Sequence, residues 1–522
     1  MYYLDTNTPM INYQMNVNSK IYVDKSLLIE KMNELLNTTS RYVCITRPRR
    51  FGKTINVSML GAYYTVGYDA QNLFKGLKIE NSDSFKKHLN KHHVIYIDFS
   101  RMPDQCKGFD DYLTAIQVRL KRDMRDAFQV DIFEDDSIQE ILNKVNENFI
   151  FLLDEWDSIF YKGFMSEEDK KNYLKFLKGL LKDQPYVELA FMTGVLPIAK
   201  YSAGSELNMF EEFSFLNDCK FEDFYGFGEK EVKELCKVHP KPSYEELKYW
   251  YDGYYKNDET SLFNPRSVSL ALQNEYCKNY WTETGPMNEI ANVVEHNVDE
   301  VREDIVRMVS GIPVEVELDG YGATQLELNS RDEILSAMVV YGFLSYHDHE
   351  LRIPNRELME KFEKVLKRES MGAIAEITKQ SKAVLQATLA KDSDTVAQYL
   401  EAVHDHEIPF LKYNDENSLS CVVTLCYLYA REHYDIEREM KSGKGYVDYL
   451  FTPKKKQYPP IILELKYDKS AEDAIDQIYE RHYIDKVKDH KEILLVGINY
   501  DKHTKHYECI IETYDDTLKN KT

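Results

Sequence analysis

Four short apolar runs set the fold class of the amino-terminal part of this chain. They are 42–46 (YVCIT), 94–99 (VIYIDF), 149–153 (FIFLL) and 187–193 (VELAFMT), with longer stretches of helical periodicity between them. Nearly unbroken apolar runs mark strands covered on both faces, because a strand with one wet face alternates instead. Strands separated by helices imply a parallel α/β sheet. One helix start is legible directly, since Ser166-Glu-Glu-Asp169 reads as a capping box opening a helix over 170–182.

The pattern then changes twice. Residues 220–407 are mostly helical and acidic, with helices expected over 230–238, 243–251, 294–310 and 356–400. Beyond residue 413 come a helix (418–432), strand-like runs near 445–451 and 460–467, a polar helix (471–483) and a strand (492–499). This gives three expected regions: an α/β domain over 1–219, a helical lid or linker over 220–407, and a second α/β domain over 408–522. A chain of 522 residues calls for several cores, at about 100–200 residues per domain.

Charge narrows the function. The net charge is −22, yet the last 82 residues hold 15 basic and 15 acidic side chains, so the rest of the chain carries the whole excess. A protein that grips nucleic acid over its whole surface would be basic, which excludes that class and leaves room only for a local basic site. The eight cysteines are scattered with no Cys-x-x-Cys pair, which argues against a disulfide scaffold or zinc ribbon and for a reducing cytoplasm. No run approaches 18 apolar residues, so no membrane span is expected, and the amino end shows no signal-peptide pattern.

Directly after the first apolar run stands Arg47-Pro-Arg49-Arg50-Phe-Gly52-Lys53-Thr54. It fits the phosphate-loop pattern G-x-x-x-x-G-K-[ST] except at Arg47, where the pattern has glycine. Gly52 permits the turn, amides entering the next helix face phosphate oxygens, Lys53 reaches β- and γ-phosphates, and the Thr54 hydroxyl suits Mg²⁺. Arg41, Arg47, Arg49, Arg50 and Lys53 make a basic island with no acid over 41–56. A basic surface turn ahead of a helix is the plainer alternative. The third run ends in Leu153-Asp154-Glu155-Trp156-Asp157, delivering Asp154 to hold Mg²⁺ and Glu155 to orient or deprotonate water. Asp157 reads as a cap for the following turn. Thr193, at the end of the fourth run, would either sense the γ-phosphate or serve structure alone.

A second constellation follows from hairpin geometry. The runs near 445–451 and 460–467 flank the polar, proline-bounded turn PKKKQYPP. Pairing about its midpoint makes facing residue numbers sum to 912, which sets Asp448 against Glu464. Facing side chains lie about 4.5–5.5 Å apart at Cβ, and like charges there repel unless a hard cation sits between them. Lys466, two residues on, shares that face, while Val447, Tyr449, Phe451, Leu463 and Leu465 point to the other and supply a core. An exposed hairpin with ordinary surface charges is the bland alternative. The spacing Asp–x15–Glu–Leu–Lys is the PD-(D/E)XK pattern, in which the two acids hold Mg²⁺ and the lysine positions water and stabilises developing charge.

Tyr22-Val-Asp-Lys25, RPRRFGKT, LLDEWD, the MTG around Thr193, Tyr251-Asp-Gly-Tyr254 and Phe263-Asn-Pro-Arg-Ser267 occur in that order. Together they resemble the AAA-ATPase-like family, bacterial proteins that often carry a carboxy-terminal PD-(D/E)XK nuclease-like domain. The resemblance implies that arginine in place of the first loop glycine is tolerated. It implies ATP and Mg²⁺ as cofactors, a helical region after the ATPase core, and a restriction-endonuclease-like α/β fold at the end. It also implies a third acid from the helix before the hairpin, with Glu416 the candidate and Glu437 and Glu439 the alternatives, and a supporting role for Gln477. Arg266 would be a γ-phosphate sensor or a salt-bridge partner.

The expected activity is ATP hydrolysis gating metal-dependent phosphodiester cleavage. Nucleic acid, DNA ahead of RNA, is the expected partner, with a homo-oligomer or partner proteins possible. A regulatory ATPase whose last domain binds nucleic acid or protein without cutting is the competing expectation, and a module of a larger assembly whose partner supplies the DNA grip is a third.

Overall fold

The computed structural model describes residues 1–103, 106–133, 135–198, 206–215, 218–256, 258–281, 299–318, 330–404, 416–442 and 445–514. The chain divides into two compact units, one of 1–285, 316–349 and 354–357, the other of 286–315, 350–353 and 358–522. The stretch 220–407, expected as a region of its own, is therefore shared between the two.

In the first unit the four apolar runs become β1 (Tyr42–Thr46), β2 (His93–Asp98), β3 (Phe149–Asp154) and β4 (Val187–Gly194), and a short β5 (Glu211–Phe213) joins them. Their order is β2-β3-β4-β1-β5, and every pairing is parallel. Both faces are covered, which is why the runs do not alternate. Cys44, Ile97, Phe151 and Met192 pack under the helices Phe109–Phe128, Ile138–Val145 and Glu167–Leu181. Val43, Tyr96, Leu152 and Phe191 pack under Thr8–Val17, Leu27–Asn33 and Lys53–Tyr64. The capping box at Ser166 and Asp169 forms, opening the helix Glu167–Leu181.

Beyond the sheet, β6 (Phe227–Gly228), β7 (Tyr254–Tyr255) and β8 (Ser261–Phe263) form a small antiparallel sheet. It packs with the helices Glu229–Val238, Tyr244–Tyr251 and Pro265–Asn274 around Val232, Leu247, Tyr251, Phe263 and Val268. Asn264 caps the last of these by accepting from the Ser267 amide, and Pro265 occupies its first turn, where a missing N–H costs nothing. The helix Arg331–Val340 and β10 (Ser345–His347) complete the described part of this unit.

The second unit pairs β9 (Val314–Glu315) with β11 (Glu350–Arg352) and holds a five-stranded mixed sheet. That sheet runs β12 (Tyr434–Ser442), β13 (Gly445–Pro453), β14 (Ile461–Tyr467), β15 (Ile493–Asp501) and β16 (His506–Tyr514). Only β14 and β15 pair in parallel, joined by the helix Ala471–Glu480, and the other pairings are antiparallel. Leu450, Ile462 and Leu495 pack on that helix, and on the other face the Tyr449 hydroxyl donates to the Ser420 carbonyl of the helix Glu416–Cys426. Among the described residues no helix is long and apolar enough to cross a membrane.

Candidate functional site

The parallel sheet delivers its chemistry at the carboxyl ends of β1, β3 and β4. The turn from β1 into the helix Lys53–Tyr64 needs two left-handed residues, Arg50 at φ 72° and Gly52 at φ 95°. Gly52 meets this without strain, and nothing lies within 4 Å of where a Cβ would stand, so conformation rather than space requires glycine. The Lys53 ammonium is buried and donates to the carbonyls of Arg47 at 2.7 Å and Pro48 at 3.0 Å. Burial lowers its pKa to about 8, against the opposing pull of Asp157, Glu155 and Asp154.

Three expected residues from three elements converge behind this lysine. Asp154, the last residue of β3, accepts from the Thr193 hydroxyl at 2.6 Å, and the nearby Thr54 hydroxyl favours its charged form. Burial raises its carboxyl, and the charge of Asp98, its register partner on β2, adds to that. Glu155 follows in the left-handed region at φ 49°, its carboxyl raised by burial and by Asp154. A cavity of about 560 Å³ opens here, inside the range of small-molecule sites. Arg49, Arg50, Gly52, Lys53, Thr54, Glu155 and Arg266 line it, together with the apolar side chains of Ile21, Val23, Phe227 and Leu270.

Arg47 departs from expectation. Its guanidinium is buried, pairs with Asp218, donates to the carbonyls of Thr46 at 2.8 Å and Phe213 at 2.9 Å, and lies over the Tyr225 ring. A side chain so engaged anchors the base of the loop, so its expected contact with phosphate gives way to a structural one. Arg47→Gly, which restores the usual first glycine of such loops, is therefore expected to destabilise the first unit by about 3–5 kcal/mol, because it strands the buried Asp218 charge. A urea titration followed by tryptophan fluorescence measures this.

Asp157 also differs. It does not cap the turn Ser158–Tyr161, but accepts from the amides of Val195 at 3.1 Å and Leu196 at 2.9 Å, tying the acid-bearing turn to the segment after β4. The Thr193 hydroxyl is committed to Asp154. Asp98 carries no motif of its own, although VIYID ends in an acid just as FIFLLD does.

In the second unit the hairpin register agrees with expectation, pairing Tyr449 with Leu463, Leu450 with Ile462 and Phe451 with Ile461. One step further along, side chains take over from the ladder. The Asp448 amide donates to Glu464 Oε2 at 3.3 Å, and the Leu465 amide donates to Asp448 Oδ2 at 2.7 Å. Lys466 Nζ donates to Glu464 Oε1 at 3.1 Å and to Gln477 Oε1 at 2.8 Å, and the Gln477 amide donates back to Glu464. Glu464 is 1% exposed, and burial with the charge of Asp448 raises it to about 7. Two acids held this close, one of them hard to ionise, fit a divalent cation, whose charge would reverse their repulsion.

The face carrying Glu464 is not bare. The helix Ala471–Glu480 covers it and brings Gln477 to the acid, and Val447 packs on this side rather than with Tyr449 and Phe451. Glu416 opens the helix Glu416–Cys426, but its side chain, like that of Glu439, lies outside the described residues. Glu437 is half-buried on β12 opposite Leu450 and makes no hydrogen bond to Asp448 or Glu464; burial raises its carboxyl. Among the described residues no group of three or more histidine, cysteine, aspartate or glutamate side chains is arranged to hold a metal.

Residues 12–203 match the family described as a predicted AAA-ATPase, and residues 414–509 match the PD-(D/E)XK nuclease superfamily. Among solved structures, the chain is similar to a Walker-type ATPase of Pyrococcus abyssi (13% identity, TM-score 0.35, 65% of this chain and 94% of that one). It is also similar to the ORC2 protein of Aeropyrum pernix in ADPNP–ADP complexes (10% identity, TM-score 0.34, 67% and 97%). No curated protein matches the chain.

Proposed function

We propose that this chain, which joins a predicted AAA-ATPase domain to a PD-(D/E)XK nuclease-superfamily domain, hydrolyses ATP in its first unit and cleaves phosphodiester bonds in its second. The observation carrying the first half is the Asp154–Thr193 hydrogen bond with Thr54 and Lys53 beside it, at a cavity of nucleotide size. Thr54 and Asp154 would hold Mg²⁺, which neutralises charge developing on the β- and γ-phosphates. Lys53 leaves its loop carbonyls to bind those phosphates, and Arg49, Arg50 and Arg266 add positive charge from the cavity wall. Glu155, a carboxyl kept less acidic by its surroundings, orients the attacking water and takes its proton. The apolar wall of Ile21, Val23, Phe227 and Leu270 suits a base.

In the second unit Asp448 and Glu464 would hold a divalent metal, which polarises the phosphate and lowers the pKa of bound water. Lys466, already pointed at Glu464, positions that water and offsets charge on the pentavalent phosphorus. DNA is the favoured substrate, with RNA as the other arm of the test. The competing reading, a regulatory ATPase whose last domain binds without cutting, is favoured by the −22 charge, since few basic contacts are available to release counterions.

Assays on the full chain separate these. ATP with Mg²⁺ should release phosphate, and Mg²⁺ or Mn²⁺ should support cutting of single- or double-stranded DNA or RNA. Absent phosphate release refutes the first half; absent cutting under every metal, with and without ATP, leaves the binding-only reading.

A further inference from the structure

Of two motifs, Tyr251-Asp-Gly-Tyr254 and Phe263-Asn-Pro-Arg-Ser267, the proposed chemistry uses Arg266 alone. Both belong to one hydrogen-bonded wall in the first unit. The Asn264 amide donates to the Tyr251 carbonyl, and the Tyr251 hydroxyl joins the backbone of Lys278 as both donor and acceptor at 2.8 and 3.0 Å. Gly253, at φ 102°, lies against the Pro354 carbonyl where any Cβ would collide, and the Asn355 amide donates to the Asp252 carbonyl. The wall therefore brings Glu357 to a fixed place.

There Glu357, 1% exposed, collects donors from two segments. The Ser267 hydroxyl reaches both its oxygens at 3.0 and 2.8 Å, and the amides of Tyr280 and Trp281 reach Oε1 at 2.7 and 2.8 Å. Each segment leads to an arginine of the cavity. Ser267 is the neighbour of Arg266, and the Tyr280 carbonyl accepts from Arg50 at 3.2 Å. Arg50 and Arg266 feel one another's charge, and Arg50 and Glu357 feel each other's with opposite sign. Arg266 makes no hydrogen bond or ion pair among the described residues. Two like charges on separate elements stay together only where something opposes their repulsion.

We infer that Glu357 is a positioning residue that holds Arg50 and Arg266 together at the cavity, so that the pair reads the terminal phosphate of a nucleoside triphosphate. This rests on the nucleotide reading of that cavity. Glu357 touches no nucleotide itself. It acts by fixing Ser267 and the 280–281 backbone and by setting a carboxylate against Arg50, and the consequence is a preference for triphosphate over diphosphate.

Glu357→Gln isolates the charge, since its carbonyl can keep the Tyr280 and Trp281 amides while its NH₂ turns to the Ser267 hydroxyl. Calorimetric titration of the full chain with ATP and with ADP should show ATP affinity falling about tenfold in Glu357→Gln, with ADP affinity changed by less than about twofold. Glu357→Asp should restore part of the ATP preference. Ser267→Ala, which removes one donor and leaves the acid, should show a smaller loss of the same selectivity and serves if Glu357→Gln does not fold. Equal weakening of ATP and ADP, or no change in either, overturns the assignment while the nucleotide reading stands. A wild-type chain that binds neither nucleotide refutes both.

Discussion

Lys53→Ala is expected to lower ATP turnover by about 10²–10³-fold, the scale seen when one donor aimed at developing charge is removed from a closed site. The lysine is the first residue of its helix, its ammonium is buried, and it feels the charges of Asp157, Glu155 and Asp154. In its place alanine leaves Thr54 beside Asp154 but offers nothing to the β- and γ-phosphates. Removing the lysine lifts its burial cost but leaves Asp157, Glu155 and Asp154 without its opposing charge, so stability is read beside activity. Phosphate release measured beside a thermal melt distinguishes a lost site from a lost fold. Turnover unchanged within threefold would show that the basic turn is not the phosphate cradle.

Glu464→Gln is expected to lower nucleic-acid cleavage by about a thousandfold while leaving ATP turnover at the wild-type level. A thousandfold loss corresponds to about 4 kcal/mol of transition-state stabilisation, a reasonable share for half of a two-carboxylate metal site. Glutamine preserves the shape that Lys466 and Gln477 contact and relieves the repulsion with Asp448, so folding is not at risk. A gel-based cleavage assay with Mg²⁺ and Mn²⁺, run on Glu464→Gln and Lys53→Ala together, reads both sites. Loss of ATP turnover in Glu464→Gln, or cleavage that survives it, contradicts the assignment.

Much of the fold was legible because the strands that carry the chemistry are central ones. β1 through β4 and β14 are buried on both faces, so composition alone marks them. The hairpin register was legible because a proline-bounded turn fixes the midpoint, and Tyr449–Leu463 through Phe451–Ile461 keep the expected sum. Of the edge strands, β2 was legible from its apolar run and the others were not. β12 (YDIEREMKS) and β16 (HYECIIETY) mix polar and apolar residues without clean alternation, and β5 is only three residues long. The covering of the Glu464 face came from a helix that looks polar in sequence yet buries Ala471, Ala474, Ile475 and Ile478 on one side.

At the sites, residues whose role is set by local chain geometry were found, and those set by distant partners were not. Gly52, Lys53 and Thr54 follow from their spacing. Arg47 fits the basic island equally well, yet Asp218, far along the chain, claims its guanidinium. Glu357 was invisible for the same reason: nothing near it in sequence hints at Ser267, Tyr280 and Trp281. Asp157 looked like a cap because caps are the usual task of an acid before a turn, and only the fold brings Val195 and Leu196 to it.

Two carboxylate sites in one chain are proposed to take a divalent cation each, one of them only together with nucleotide. Counting bound Mn²⁺ by electron paramagnetic resonance tests this proposal directly, with and without ATP. One class of Mn²⁺ should appear with ATP and be lost in Asp154→Asn, and another should be present without ATP and be lost in Glu464→Gln. Mn²⁺ binding that ignores ATP and survives both substitutions would contradict it.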